Sequence, residues 1–452
     1  MTAKSVFLMM MFPVSALMLF GILTFLPGLE FTLPTKTADL DRHYEKIERS
    51  QFNDDSSSDS SNDSSSDSSG GTPANNLDVE SKVENAVPKT AEQVSEFTCA
   101  PWIPAEKRKI IFHSAMKRFI SWEDHLKGTL KGGEPYWSAC IDYILRDLGF
   151  EVEFTDDETV HLQLNDDALE RLERGDVHRI ITDSSSGGNF GHEIWDKSDL
   201  LCKVRMMNWF VSAKRPKNEF VITPIRYDDI SSTSAHFVPF FVHGALTDPP
   251  FREMIPRKRR SIFLYDKECY RIPIEIPIAL HKAGFELHFQ CLEGNFGPHP
   301  AIDAISGNFT FHERVSTPQE YAREILQKVA MVLGFIHPED SPTPLEALYN
   351  GAAFLNPEYE PFEHHATTRT YMHQALGNLG PPYVYNYNAS FFPKGDRVYL
   401  ETTISSILDL SERAAAQPFV SYTPVDYRYE AAKANVCANI IEYDACWIPG
   451  QT

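Results

Sequence analysis

The chain has 452 residues, and its 63 Asp and Glu residues outnumber its 42 Lys and Arg residues, giving a formal net charge of −21. A charge of this sign argues against general binding to a phosphate backbone, because a polyanion would be repelled on average. Hydrophobic residues make up 42% of the chain and aromatic residues 12%, which is enough for folded cores and excludes a wholly disordered protein.

The N-terminal segment predicts a membrane anchor. No charged residue lies between Lys4 and Glu30, and residues 6–26 are predominantly apolar. A helix of that length spans roughly 31 Å, about the thickness of a bilayer core. A cleaved signal peptide is the alternative, but its apolar region would be shorter and would end in small residues. The positive charge at Lys4 favours a cytosolic tail, residues 1–5, and a lumenal or extracellular remainder.

Residues 27–98 predict a disordered, acidic stem. The part at 54–71 contains only Asp, Ser, Asn and Gly, so it has no apolar side chain to bury against the entropy of ordering. An acidic segment also repels itself and becomes extended. We therefore expect a tether that holds a folded head away from the membrane.

All seven cysteines lie in the predicted head, after residue 98. They form no CxxC pair and no Cys/His cluster with zinc spacing, so a zinc framework is not expected. In a lumenal head, up to three disulfides and one free thiol are possible, and the pairing stays open. Glycosylation sequons at Asn62, Asn308 and Asn388 agree with that compartment, although about two would be expected by chance.

The head alternates short apolar runs with amphipathic stretches, a pattern typical of α/β domains with parallel sheets. The first half predicts strands at 109–113, 151–154, 177–182 and 220–223, and helices at 137–148, 168–174 and 202–213. The second half predicts strands at 261–265, 285–289, 329–333 and 353–355, and helices at 273–282, after Thr317, from Pro344, at 403–415 and at 429–443. Thr317 begins a helix with two signals, because Pro318 suits the first turn and Glu320 completes a capping box.

These elements predict two Rossmann-like domains that face a cleft. The first covers residues 99–235 and the second residues 236–428, followed by a terminal helix and tail at 429–452. Nucleotides bind such domains at the carboxyl ends of the strands.

The segment 333–357 is the most informative for chemistry. It predicts a strand that ends at Gly334, a proline-rich loop, and a helix with Glu346 one turn inside it. The backbone N–H groups and the positive dipole end of such a helix can hold a diphosphate without a metal. Glu346 can accept hydrogen bonds from the two ribose hydroxyls, although a carboxylate that only stabilises the helix start is the simpler alternative.

Two motifs resemble a known family. Residues 344–347, Pro-Leu-Glu-Ala, followed by 350–357, Asn-Gly-Ala-Ala-Phe-Leu-Asn-Pro, resemble the donor-site segment of glycosyltransferase family 18, the N-acetylglucosaminyltransferase V-like enzymes. Gly133-Glu134 before Trp137-Ser138 is similar to the segment that supplies the catalytic base in that family, although its Glu-to-Trp spacing is one residue shorter. Without the family, Glu134 is a capping residue.

The resemblance implies a GT-B fold and inverting, metal-independent transfer of GlcNAc from UDP-GlcNAc to the 6-hydroxyl of an α-mannose in an N-glycan. Glu134 is then the catalytic base. The donor-binding residues are Gly334, Thr343, Pro344, Leu345, Glu346, Lys267 and Arg369. The two cations are the nearest candidates for a family lysine that has no clear counterpart, and Asp340-Ser341 stands where the family has a glycine.

The resemblance also implies a single-pass type II protein of the Golgi membrane, with a lumenal head that acts on glycoprotein N-glycans and binds no nucleic acid. No metal or cofactor is expected. Asp156-Asp157-Glu158, a candidate metal motif, is interpreted as a solvated turn, and His364-His365 as a polar loop pair. The alternatives are another GT-B transferase, such as a GDP-fucose enzyme, and a catalytically inactive glycan-binding scaffold anchored in the membrane.

Overall fold

The fold is described from a computed structural model. The residues described are 99–113, 119–129, 132–155, 166–183, 200, 202–209, 220–226, 235–242, 244, 259–266, 272–290, 309–312, 317–335, 340–364, 367–389 and 397–443. All of them belong to the compact unit Thr90–Thr452. The predicted anchor at 6–26 and stem at 27–98 lie outside these residues. Within the ranges given, no helix has both the length and the apolar character needed to cross a membrane.

The first Rossmann-like domain is built on a six-stranded sheet in which all strand pairs are parallel. Its order is β2-β1-β3-β4-β5-β6. The strands are β1 (Lys109–His113), β2 (Glu151–Thr155), β3 (Arg179–Asp183), β4 (Val204–Met207), β5 (Val221–Thr223) and β6 (His236–Phe237). The helices are α1 (Trp122–Leu126), α2 (Gly133–Asp147) and α3 (Asp166–Arg174).

The predicted helix at 202–213 is wrong, because Val204–Met207 is strand β4. All four of its residues are buried, and it lies between β3 and β5. A central strand of a parallel sheet is covered on both faces, so its apolar residues show no alternation with polar ones. A short apolar run of this kind cannot be distinguished from a buried helix by periodicity.

The first sheet extends beyond the predicted domain boundary between 235 and 236. Strand β6 pairs with β5, with His236 opposite Ile222. A two-residue strand carries almost no periodic signal, so its sheet is decided by the hydrogen bonds it makes.

The second domain is built on a seven-stranded sheet. Its path is β12-β11-β10-β7-β8-β9, and β13 also pairs with β11. The strands are β7 (Ser261–Tyr265), β8 (Glu286–Phe289), β9 (Phe309–Phe311), β10 (Met331–Gly334), β11 (Ala353–His364), β12 (Thr367–Tyr371) and β13 (Val384–Asn388). The helices are α4 (Glu275–Lys282), α5 (Pro318–Tyr321), α6 (Pro342–Tyr349) and α7 (Arg397–Ala416). Among the strands described in this sheet, β12 pairs antiparallel with β11 and the other pairs are parallel.

Helix α5 begins as the sequence predicts. The Thr317 side chain accepts a hydrogen bond from the Glu320 backbone, and the Glu320 side chain accepts one from the Thr317 backbone, which completes the capping box. The helix continues as a wider turn over Ala322–Leu326.

The end of the described chain returns to the first domain. Helix α8 (Tyr429–Val436) packs on α2, where the Tyr429 ring lies 5.8 Å from that of Tyr143. Lys433 also pairs with Asp147 at 2.5 Å. The predicted fold of two Rossmann-like domains is thus confirmed, with a terminal helix packed on the first of them.

The cysteines described fall into two groups. Cys99 and Cys437 form a disulfide, and Cys202 is also disulfide-bonded. Cys140 is a buried free thiol on α2.

Candidate active site

The sheet order of the second domain marks one position where a ligand can bind. Its parallel strands run β9-β8-β7-β10-β11-β13, so the order in the chain reverses between β7 and β10. In such sheets the crevice at this reversal, beyond the carboxyl ends of the strands, is where ligands bind. The two strands end at Tyr265 and Gly334, which are opposite each other, and the buried Asp266 follows β7.

Helix α6 begins beside this position. Asp340 and Ser341, which precede it, are 4% exposed, and Thr343 in its first turn is 9% exposed. The Ser341 hydroxyl lies 2.9 Å from the Tyr265 hydroxyl, and Tyr321 donates to the Thr343 hydroxyl at 3.3 Å. Polar side chains of β7 and α5 therefore surround the first turn of α6.

The start of α6 has fewer amide donors than the sequence interpretation assumes. The helix begins at Pro342, two residues before the predicted start at Pro344. Both prolines lack a backbone N–H, so among the first three helical residues only Thr343 carries one. The dipole of the helix still favours an anion at this end, but most of the contacts to a diphosphate must come from other groups.

Two further residues of the predicted donor site, Gly334 and Leu345, lie in closely packed surroundings. A Cβ built at Gly334 would lie 2.6 Å from the Met372 sulfur and 3.0 Å from the Phe354 ring, so a larger residue here would displace one of these side chains. Leu345 is fully buried in the core, and only its backbone is left for a ligand.

Glu346 lies at the contact between the two domains. It is half-buried on α6, and the Tyr136 hydroxyl of α2 lies within hydrogen-bonding reach of its carboxyl group. Burial raises the pKa of Glu346 to about 7, and the contact with Tyr136 opposes that increase. A carboxyl group with such a pKa can bind or release a proton near neutrality, which is common at functional sites.

Glu134 lies in the first turn of α2, two residues before Tyr136, and is half-buried. Pro135 follows it within that turn, as predicted. Because Tyr136 reaches Glu346, the structure brings together the helix start that carries Glu134 and the helix that carries Glu346. Trp209 packs directly on the backbone of Gly133 and so supports the start of α2.

For the two candidate cations, the structure gives at most a position in the fold. Arg369 lies on β12, opposite Phe362 of β11. Lys267 follows β7 at the strand reversal, but it lies outside the residues that the structure describes.

The metal alternatives stay predictions. Residues 156–158 lie outside the described part of the chain, as does His365, while His364 is the last residue of β11. Among the residues described, one group of potential ligands clusters closely: Cys99, Cys437 and Glu442. Its two sulfur atoms are bonded to each other, which removes them as thiolate ligands.

The sequence interpretation missed the residues that shape this site from a distance in the chain. Four such residues belong to the site: Tyr136, Tyr265, Tyr321 and Asp266. In the sequence, nothing distinguishes them from other residues of a strand, helix or loop. One signal was available for Tyr136, because it stands in the same helical turn as the candidate base Glu134.

The fold and this site define a two-domain protein of the GT-B fold type, in which helix α6, beside the strand reversal of the second sheet, approaches helix α2 of the first domain. The chain matches no protein-family model and no curated protein. Similar solved structures include AviGT4, a glycosyltransferase involved in avilamycin A biosynthesis, which is 16% identical with a TM-score of 0.42, over 75% of this chain and 98% of that chain.

Two other similar structures come from bacteria. MurG of Acinetobacter baumannii is 11% identical with a TM-score of 0.39, over 74% of this chain and 99% of its own. The UDP-GlcNAc 2-epimerase of Neisseria meningitidis, bound to UDP-GlcNAc, is 10% identical with a TM-score of 0.40, over 74% of this chain and 100% of its own. Similarities at this level support no inference about the chemistry of the present chain.

Proposed function

We propose that this protein transfers a sugar from a nucleotide donor to a hydroxyl group of a glycan. The observation that carries the proposal is that α2 and α6 hold the same connecting segment: the Tyr136 hydroxyl of α2 donates to the Phe241 carbonyl oxygen at 3.0 Å, and the Tyr349 hydroxyl of α6 donates to the Gly244 carbonyl oxygen at 2.6 Å. This arrangement supports a site in which Glu346, on the helix beside the strand reversal of one Rossmann-like domain, acts together with Glu134, in the first turn of a helix of the other domain. Two carboxyl groups on facing domains are what a donor site and a catalytic base require.

Each residue has a distinct role in this proposal. Glu134 takes the proton of the acceptor hydroxyl, which then attacks the anomeric carbon from the face opposite the departing diphosphate. Glu346 accepts hydrogen bonds from the ribose hydroxyls of the donor. The Thr343 amide and the dipole of α6 stabilise the diphosphate, together with a cation for which Lys267 and Arg369 are the candidates.

The donor and acceptor are proposed from the sequence resemblance. They are UDP-GlcNAc and the 6-hydroxyl of an α-mannose of an N-glycan, joined in a β1,6 linkage without a metal. The apolar segment at 6–26 supports a single-pass type II protein of the Golgi membrane with a lumenal head.

One observation favours a second candidate, an inactive glycan-binding scaffold. Pro342 and Pro344 remove two of the three amides at the start of α6, and the family lysine has no clear counterpart. A scaffold of this kind would show no saturable site for a nucleotide.

The full-length chain should be incubated with a panel of UDP- and GDP-sugars and N-glycan acceptors in the presence of EDTA. We expect a product one GlcNAc heavier than the acceptor, with a β1,6 linkage, measured by mass spectrometry and linkage analysis. A fucosylated product would replace the UDP-GlcNAc assignment by the GDP-fucose alternative.

Substitutions of the two carboxyl residues distinguish their proposed roles. Glu134→Gln should abolish transfer and leave UDP binding intact, whereas Glu346→Ala should raise the Michaelis constant for the donor. Glu123→Gln, on the exposed face of α1, is the matched control and should change neither value. Unchanged transfer by Glu134→Gln would remove the base assignment, and no product together with no UDP binding would favour the scaffold.

A further inference from the structure

Two histidines join strand β8 to the end of strand β9. His288 belongs to β8, and His312 directly follows β9. Nδ1 of His288 lies 2.8 Å from Nε2 of His312, which is the distance of a hydrogen bond between the two rings. The backbone N–H of His312 also donates to the carbonyl oxygen of Phe289 at 2.8 Å. The pair therefore holds the carboxyl end of β9 against its neighbour.

The geometry of the two rings shows that one proton lies between them. The ring planes differ by 15°, and the ring centroids are 5.1 Å apart. At an N···N distance of 2.8 Å, so large a centroid separation requires the two nitrogens to point at each other. A hydrogen bond along this line needs an N–H on one ring and a lone pair on the other, so it cannot form when both nitrogens carry a proton.

Strand β9 is short and lies at the edge of the sheet. It comprises Phe309–Phe311, and among the residues that the structure describes it pairs with β8 and with no other strand. Its last residue, Phe311, is 42% exposed. A strand with few ladder hydrogen bonds and little apolar burial opens locally at a low free energy. The bond between the two histidines is therefore a substantial part of what holds this end.

The charged groups around the pair come from β8 and from the turns that follow α5. Glu286 of β8 lies 3.5 Å from Nε2 of His288. Glu324 and Lys328, which form an ion pair with each other, both act on His312. A first added proton can thus reside on His288 beside Glu286, because Nδ1–H of His288 then donates to Nε2 of His312 and the bond between the rings is kept.

The surroundings oppose a second added proton. His288 is 5% exposed and lies between two uncharged neighbours, Phe263 of β7 and Thr310 of β9. Burial lowers the pKa of His312, the charge of Lys328 lowers it further, and Glu324 opposes this decrease. Two charged rings at this distance would also repel each other. Separated rings, by contrast, can each bind a proton at the ordinary pKa of histidine.

We propose that the pair His288–His312 is an acid-sensitive latch at the edge of the second sheet, which releases the end of β9 when both rings are protonated. The closed pair binds one added proton and the open pair binds two, both taken from solvent. No covalent bond is made or broken. The latch does not depend on the proposed sugar transfer.

Acid should favour the open edge. Because the open pair binds more protons than the closed pair, the equilibrium constant for opening rises as the pH falls below ~6.5, the ordinary pKa of histidine. Between pH 7.5 and pH 5.5 we expect opening to increase about tenfold. The strands in the centre of the sheet should stay closed over this range.

The test is hydrogen exchange of the full-length chain, measured by mass spectrometry from pH 5.5 to 7.5 and corrected for the intrinsic pH dependence of exchange. Peptides that contain residues 309–312 should be about tenfold less protected at pH 5.5 than at pH 7.5. Peptides that contain β7 and β10 should keep their protection.

Two variants isolate the pair. His312→Gln places an amide nitrogen close to the position of Nε2, so it can keep the hydrogen bond to His288 without titrating. Its protection at residues 309–312 should stay nearly constant with pH. His281→Gln, on α4 of the same domain, is the matched control and should show the wild-type loss.

Equal protection of residues 309–312 at pH 5.5 and 7.5 in the wild type would overturn the proposal. An acid loss of wild-type size in His312→Gln would also overturn it, as would an equal loss in β7 and β10, because neither would originate in this pair. If His312→Gln fails to fold, the comparison of β9 with β7 and β10 in the wild type still decides.

Discussion

At the scale of single residues, the position of Glu134 depends on a close approach of an aromatic ring to a glycine. A Cβ built at Gly133 would lie 2.7 Å from Cη2 of Trp209, a distance that real Cβ atoms do not tolerate. Trp209 is 8% exposed and stacks on Phe240, with 6.1 Å between ring centroids, so it has little room to move. Glycine at 133 is therefore required by packing, and the next residue is the candidate base.

Gly133→Ala should displace the first turn of α2 and with it Glu134. We expect kcat to fall about tenfold or more, because a displacement of ~1 Å at a catalytic group can cost up to about a hundredfold. The Michaelis constant for the nucleotide sugar should change little. Gly380→Ala is the matched control, since a Cβ there meets no atom within 4 Å. An unchanged kcat in Gly133→Ala would show that α2 accommodates the methyl group without moving Glu134.

At the scale of elements, the start of α6 is fixed by the residue before its cap. Asp340 has a φ of 45°, in the left-handed region that glycine adopts most readily. Its side chain accepts a hydrogen bond from the backbone of Gln374 at 2.8 Å, and its backbone N–H donates to the carbonyl of Met372 at 3.1 Å. Asp340 occupies the position where the family that this segment resembles has a glycine. Aspartate tolerates this conformation, and its side chain stabilises the loop through the hydrogen bond from Gln374.

Asp340→Ala should destabilise the protein by about 1–3 kcal/mol, because alanine keeps the unfavourable φ and loses the acceptor for Gln374. Asp340→Asn retains a side-chain oxygen and tolerates the same conformation, so it should cost clearly less. Urea unfolding followed by circular dichroism measures both. Equal losses for the two variants would argue against the side-chain hydrogen bond.

At the scale of the whole molecule, the C-terminal segment closes the first domain. Buried Arg205 donates to the carbonyl of Asn439 at 3.0 Å, and buried Arg179 donates to that of Ile440 at 3.2 Å. These guanidinium groups donate hydrogen bonds to carbonyl groups of the wide last turn, Cys437–Glu442. The disulfide between Cys99 and Cys437 joins positions 338 residues apart in the chain.

Replacing Cys99 and Cys437 together by serine should lower the free energy of unfolding by about 2–5 kcal/mol, since a crosslink across a long loop restricts the unfolded chain. The double variant and the wild type should be compared by urea unfolding without reductant. Cys140→Ala serves as a control for loss of a thiol that is not crosslinked. If the double variant were as stable as the wild type, the disulfide would contribute nothing to stability.

Sequence patterns located most elements because their signals are local. Strands β1 and β7 have the predicted bounds, since each is a short apolar run with polar flanks. The capping box at Thr317 is likewise complete within four residues. Periodicity gives no signal at β4, where burial on both faces removes the alternation, or at β6, which has two residues.

The residues of the candidate site likewise divide into those that sequence patterns indicated and those that only the fold brought together. Glu346 and Glu134 could be singled out from sequence only through the resemblance of the segments around them to a known family, because a helix start by itself is explained by a capping carboxylate. Which groups face them could not be, since Tyr136 meets Glu346 only through the packing of helices from different domains.

The sequence by itself determined the two α/β domains, the helices that carry both carboxyl groups, and the alternation of strands between them. The tertiary structure alone decided that the two helices approach each other, that Glu346 is half-buried, and that α6 begins at Pro342, which leaves Thr343 as the one amide donor among its first three residues. The reason is physical: hydrophobic periodicity and caps depend on neighbours within a few turns, whereas burial, proton affinity and hydrogen-bond partners depend on side chains that the fold brings from distant parts of the chain.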